Sequence, residues 1–170
     1  MTAPLFTATS GGRFSGAGLV CRCALGRTGV VSAGQKREGD GASPAGTWTM
    51  RRVFYRADRL ARPQTGLACI PLHVRDGWCD DPEHRLYNRP VSLPFAASHE
   101  ELWREDQVYD VIVELGYNDA PVVPGHGSAI FLHLARDDYR GTQGCIALSA
   151  EDMVSVLARC QPGSALEICF

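Results

Sequence analysis

The sequence contains no long hydrophobic run. Its apolar stretches are all far shorter than the ~20 residues a bilayer-spanning helix needs, so no membrane span is expected. The first residues, MTAPLFTATSGGRFSG, lack the basic segment and apolar core of a secretory signal. An envelope role would therefore need a route not written in this chain, or a leader already removed. No basic run is present either. With 17 Lys and Arg against 19 Asp and Glu, the formal charge is −2, which excludes the cationic footprint of a nucleic-acid or anionic-membrane binder. The seven cysteines include no CxxC pair, so zinc-ribbon spacing fails. Their odd number leaves at least one thiol free in a monomer, and small buried hydrophobes are the expectation for six of them. There is no internal repeat and no linker, so residues 1–170 are expected to form a single domain, which at this length buries ~70% of its unfolded surface.

Sustained helical periodicity is also scarce, and glycine and proline divide the rest into short segments. Leu19–Leu25 alternates and, with Val30–Val31, predicts an N-terminal hairpin. Further strands are predicted over 47–55, 108–117, 128–135 and 165–170. The stretch SAIFLHLA, 128–135, is apolar enough for burial on both faces. Residues 76–98 carry three prolines and several charges and are expected to form a long irregular covering loop, followed by a helical turn or two over 99–106. One helix is clear: Ala150, Met153, Val154, Leu157 and Ala158 form an apolar stripe, Ser149 is the expected N-cap, and Glu151 and Asp152 suit the first turn. The expected class is mainly β.

Chemistry concentrates between Gly125 and Ser149, GHGSAIFLHLARDDYRGTQGCIALS. Cys145 follows a glycine and precedes the helix cap. A helix start or a nearby histidine lowers a thiol's pKa, so Cys145 is expected to be the one activated cysteine of the seven. Gly144 permits close backbone approach, and amides there suit an oxyanion. His133 ends a buried strand, and the polar loop after it can return the chain so that imidazole and thiol meet, as a Cys–His pair requires. The same residues also fit a satisfied core histidine beside an ordinary Gly-Cys pair.

The stretch resembles the signature of the YkuD family, the L,D-transpeptidase catalytic domain of peptidoglycan enzymes. Phe131-Leu132-His133 takes the place of the family's upstream histidine, and Thr142-Gln143-Gly144-Cys145-Ile146 that of its Ser/Thr-His-Gly-Cys element. The text GDGASPAGTWTM, Gly39 to Met50, is similar to its substrate-side segment. Gln143 stands where the family has a second histidine, and Ala147 where it commonly has arginine. The resemblance implies a mainly β L,D-transpeptidase-like sandwich or open barrel with short helices and a long covering loop. It also implies a transpeptidase acting in the periplasm on peptidoglycan stem peptides, as a monomer, with no cofactor and no metal. Cys145 would be the nucleophile and His133 the base, with Gly144 at the oxyanion. His126, Ser128, Arg140, Thr142 and Gln143 would contact substrate, with Arg136 a further anion-binding candidate.

Other readings remain. Papain-like and NlpC-type hydrolases place cysteine before histidine, the reverse of this order. Sortases expect a strand arginine after the cysteine, whereas Arg159 falls on the predicted helix. A hydrolase on the same site, a decayed peptidoglycan-binding module, and a zinc site from His126, His133 and Cys145 stay open, as does the position of any cross-link.

Overall fold

The computed structural model describes residues 2–170. Thirteen strands and a single helix follow one another among these residues. In order they are β1 (Leu5–Thr9), β2 (Arg13–Gly16), β3 (Leu19–Arg22), β4 (Val30–Ser32), β5 (Ser43–Tyr55) and β6 (Ala68–Pro71). Then come β7 (Asp76–Cys79), β8 (Pro90–Ser92), β9 (His99–Glu101), β10 (Val111–Leu115), β11 (Phe131–Leu134) and β12 (Ile146–Leu148). The chain ends with α1 (Ala150–Leu157) and β13 (Ala165–Cys169).

Ten strands form one sheet in the order β12-β11-β10-β5-β13-β1-β2-β3, with β4 and β6 also paired to β5. The sheet curls until its two ends meet. The Ala24 N–H donates to the Ala147 carbonyl and the Ala147 N–H to that of Ala24, both at 2.9 Å. The result is a nearly closed barrel, which settles the sandwich-or-barrel choice by removing the free edges that an open sheet would expose. The long β5 makes this possible, since its first half pairs with β4 and then β13 while its second half pairs with both β10 and β6.

The barrel interior is filled by Phe6 and Phe14, stacked at 5.6 Å, and by Met50, Val53, Val113, Leu132, Ile146 and Leu166, all essentially inaccessible. The alternate residues of β5, β10 and β11 form a second cluster on the outer face: Phe54, Ile112 and Phe131, with Tyr109, Leu102, Trp78 and Cys145. This stretch of sheet is therefore buried on both sides, which is why its strands read as continuous apolar runs.

The outer cover is not the irregular loop expected over 76–98. It is a second, three-stranded sheet in the order β8-β7-β9. The segment expected to be helical at 99–106 begins with strand β9, because His99, Glu100 and Glu101 pair with Cys79, Trp78 and Gly77. Trp78 closes the layers, meeting Phe131 edge-on at 5.1 Å while its Nε1–H donates to Asn88 Oδ1 at 2.9 Å. The N-terminal hairpin also differs. It joins β2 to β3 through Ala17 and Gly18, both at positive φ, while β4 leaves to pair in parallel with β5.

Ser149 caps α1 as expected, its Oγ accepting from the Asp152 N–H at 3.1 Å. The buried face is Met153, Val156 and Leu157, while Val154, expected on the stripe, is 67% exposed. The i, i+3, i+4 set that faces β3 and β11 is thus shifted by part of a turn from the sequence reading. Among the described residues no helix is long and apolar enough to cross a membrane.

The helix orientation is tested by two substitutions. Met153→Ala should cost about 2–5 kcal/mol in denaturant unfolding, as large-to-small core changes do. Val154→Ser should stay within about 0.5 kcal/mol. Equal costs would show that the stripe read from sequence is the buried one.

Candidate active site

The turn carrying Cys145 is held mainly through backbone. Arg27 N–H donates to the Thr142 carbonyl at 2.8 Å and Thr142 N–H to Leu25 O at 2.9 Å. Gly144 adopts φ +131°, and a Cβ there would lie 2.7 Å from the Ala42 carbonyl oxygen, so only glycine fits. Ser43, from the SPAGT segment, donates its hydroxyl to Gly144 O at 2.8 Å and accepts from Gly26 N–H at 2.9 Å. Thr142 Oγ1 donates to the Cys145 carbonyl at 2.6 Å and accepts from Gly144 N–H at 3.1 Å. This corrects the expectation that the Gly144 amide is open to an oxyanion, because Thr142 already uses it. Gly144 acts here as a conformational joint.

Strand β12 pairs in parallel with β11, Leu132 opposite Ile146 and His133 opposite Ala147. Phe131 and His133 project to the outer face, and Cys145 reaches the same face at the mouth of β12. The thiol is 6% exposed and is clasped by β11 and the residues before it. Sγ donates to Ala129 O at 3.1 Å and accepts from Phe131 N–H at 3.4 Å. Ala129 is left-handed, φ 51°, a conformation costing an alanine on the order of 1 kcal/mol, and its N–H is held by Asn88 Oδ1 at 3.0 Å.

His133 is also 6% exposed. Its Nδ1 lies 2.9 Å from the Leu134 carbonyl. A carbonyl only accepts, so Nδ1 carries the proton and Nε2 is left as the basic nitrogen. The Tyr109 ring meets the imidazole edge-on at 5.3 Å. Burial first, then Arg104 and Arg136, lower the His133 pKa to about 4.

Burial also pushes the Cys145 thiol up to about 12, and Glu100 adds to this. The Phe131 N–H and Lys36 oppose it only in part. The resting pair is therefore neutral thiol and neutral imidazole, against the expectation of one low-pKa cysteine. The physical reasons are dehydration and distance. Strand β12 separates the thiol from the start of α1 by more than about 10 Å at ~3.3 Å per residue, beyond the reach of the helix dipole. Cys21, Cys23 and Cys160 are likewise raised by burial, to about 11, 12 and 12. All seven cysteines are free thiols.

Both groups open onto a cavity of about 620 Å³. Ser128, Arg140, Thr142 and Gln143, the expected substrate-contacting residues, line it. Ser128 donates to Glu38 Oε2 at 2.7 Å, and the Arg27 guanidinium holds the Gln143 carbonyl oxygen. His126 does not reach the cavity; its ring lies outside and its backbone carbonyl accepts from Tyr117 OH at 2.5 Å. That corrects its expected substrate contact, and it also removes His126 from a zinc site with His133 and Cys145. Arg136 is held at 3.0 Å by Asp106, which also binds Arg104. Sequence reasoning missed Tyr109, Glu100, Asp80 and Glu38. Three of these come from the cover and the turns around it, where no local pattern marks a site.

The family model described as the L,D-transpeptidase catalytic domain, YkuD, matches residues 13–168. No curated protein matches the chain significantly. Among solved structures, L,D-transpeptidase 1 of Mycobacterium tuberculosis aligns with 99% of this chain and 60% of its own, at 14% identity and TM-score 0.45. An L,D-transpeptidase of Mycobacterium smegmatis aligns over 98% and 58%, at 16% identity and TM-score 0.43. The helical cell shape determining protein Pgp2 of Campylobacter jejuni aligns over 98% and 47%, at 14% and 0.41. The chain thus spans roughly half to three-fifths of the length of these proteins. With the family model covering all but the two ends, the chain belongs to the YkuD family of L,D-transpeptidase catalytic domains.

Proposed function

We propose that the chain is a cysteine acyltransferase that cross-links peptidoglycan stem peptides through a thioester on Cys145, acting in the cell envelope where that polymer lies. The observation that carries this reading is the placement of Cys145 and His133 on one buried sheet face, opening onto one cavity. Family membership supports the substrate class.

His133 Nε2 takes the thiol proton as Sγ attacks the donor's peptide carbonyl carbon. Proton transfer and attack are coupled, because a free thiolate is disfavoured in this site. The tetrahedral oxyanion falls to the Cys145 N–H, since Gly144 N–H is committed to Thr142. Collapse breaks the C–N bond, the imidazolium protonates the leaving amine, and the thioester remains. The amine of a second stem peptide then attacks the thioester and releases the thiol.

Incubation with purified muropeptides and mass analysis of the products tests the reading. Dimers identify an amine acceptor, whereas only trimmed monomers would show that water is the acceptor. Cys145→Ala should abolish product, and His133→Ala should lower turnover by about 10²–10⁴-fold. Near-normal turnover of His133→Ala would remove it as the base.

The pH dependence follows from burial. With its pKa lowered to about 4, His133 is in its basic form throughout the neutral range. The profile of kcat/KM should therefore fall on the acid side only as pH approaches that value, and an inflection near 6.5 would show a solvated imidazole. Because the resting thiol is raised to about 12, iodoacetamide at neutral pH should not single out Cys145. A carbapenem, which brings a reactive carbonyl into the cavity, should acylate it alone. Rapid selective alkylation of Cys145 would overturn the neutral resting pair.

A further inference from the structure

The cavity that Cys145 opens onto is also bordered by carboxylates that no side chain pairs with directly. Three carboxylates reach it from separate segments: Glu38 from the loop before β5, Asp80 just after β7, and Glu100 from β9. Among the described residues none of the three forms an ion pair. The nearby cations are engaged elsewhere. Lys36 pairs with Asp40 at 2.5 Å, and both Arg104 and Arg136 pair with Asp106. Asp80 Oδ1 is buried with no hydrogen-bond partner. A carboxylate withdrawn from water without a counter-charge is costly, and a bound cation relieves that cost.

Glu100 is the member tied to the chemistry. Tyr109 OH donates to its Oε1 at 2.5 Å, and the ring of Tyr109 lies edge-on to His133. The carboxylate is close enough to Cys145 to act on its thiol electrostatically. Strand β9 and the Tyr109 bond thus fix the Glu100 carboxylate on the cavity that the candidate pair shares.

Resting on the acyltransferase reading, we propose that Glu100 is a second catalytic base, which receives the ammonium group of the acceptor and takes its proton before attack on the Cys145 thioester. The reaction needs such a group. An alkylammonium has a pKa of about 10, so at neutral pH the acceptor arrives protonated and cannot attack. In the proposed step the ammonium gives one proton to Glu100, and the free amine forms a bond to the thioester carbonyl carbon. A second N–H proton passes to His133 Nε2, the C–S bond breaks, and His133 returns that proton to sulfur. Glu100 releases its proton to water.

Burial favours the exchange, since it moves a carboxylate up and an ammonium down, toward each other. Burial raises the Glu100 carboxyl above its ordinary value; Asp80 and Glu38 raise it further, while Tyr109 and Arg104 oppose. The two acidic neighbours hold the incoming cation.

The two half-reactions separate the proposal from the reading beneath it. A muropeptide donor is given to the wild type and to Glu100→Gln, and the Cys145 thioester is followed by intact mass. The thioester is then resolved with a second muropeptide or with hydroxylamine, which is already uncharged at neutral pH. Glu100→Gln should still form the thioester and resolve it with hydroxylamine, yet its rate with the muropeptide amine should fall about 10²-fold or more relative to its rate with hydroxylamine. That loss should shrink about tenfold per pH unit as rising pH supplies free amine. Glu100→Asp, which keeps the charge, should recover part of the rate. Equal loss with both acceptors, or muropeptide cross-linking at the wild-type rate, would overturn the role of Glu100. Absence of any thioester on the wild type would overturn the acyltransferase reading and this step with it.

Discussion

Burial of one stretch of sheet on both faces is the constraint on which the rest of the structure depends. Strands β5, β10 and β11 give their inner residues to the barrel core and their outer residues to the layer beneath the three-stranded cover. The cover is fixed to the barrel by specific contacts. Trp78 packs on Phe131, and Asn88, only 4% exposed, accepts from Trp78 Nε1–H and Ala129 N–H while donating to the carbonyls of Tyr117 and Asn118. Without this cover, His133 and Cys145 would stand on an open, hydrated sheet face.

Dehydration sets the character of the pair. Moving the thiol from 9.0 to about 12 corresponds to about 4 kcal/mol against the thiolate. Moving the imidazole to about 4 disfavours its cation by a similar order. A thiolate–imidazolium ion pair is thus expensive in this dehydrated site. The Sγ–Ala129 and Phe131–Sγ contacts hold the sulfur in a defined place meanwhile, as preorganisation requires.

Charges of both signs border the cavity. Asp106, held well below the usual carboxylate range by Arg104 and with Arg136 adding to this, ties two arginines into one network by the His133 side. Arg140 also borders the cavity, near the nucleophile turn. The cover side presents carboxylates.

Local patterns in the chain alone determined a good part of this. The mainly β class, the strands at 47–55, 128–135 and 165–170, and the capped helix at Ser149 were legible because each rests on short-range periodicity or turn chemistry. The rest was decided by tertiary structure. The cover sheet hides in residues 76–101, whose strands of three or four residues are too short to show alternation and are stabilised only by one another and by Trp78. The hairpin partner of β3 and the exposed face of α1 depend on what packs against them. The availability of the Gly144 amide depends on Thr142 closing back on it. The resting protonation of Cys145 was misread from sequence, since a motif displays its neighbours along the chain but not the water that folding removes. Glu38, Asp80 and Glu100 carry no local mark of function. They meet at one cavity only because the fold brings three distant segments together.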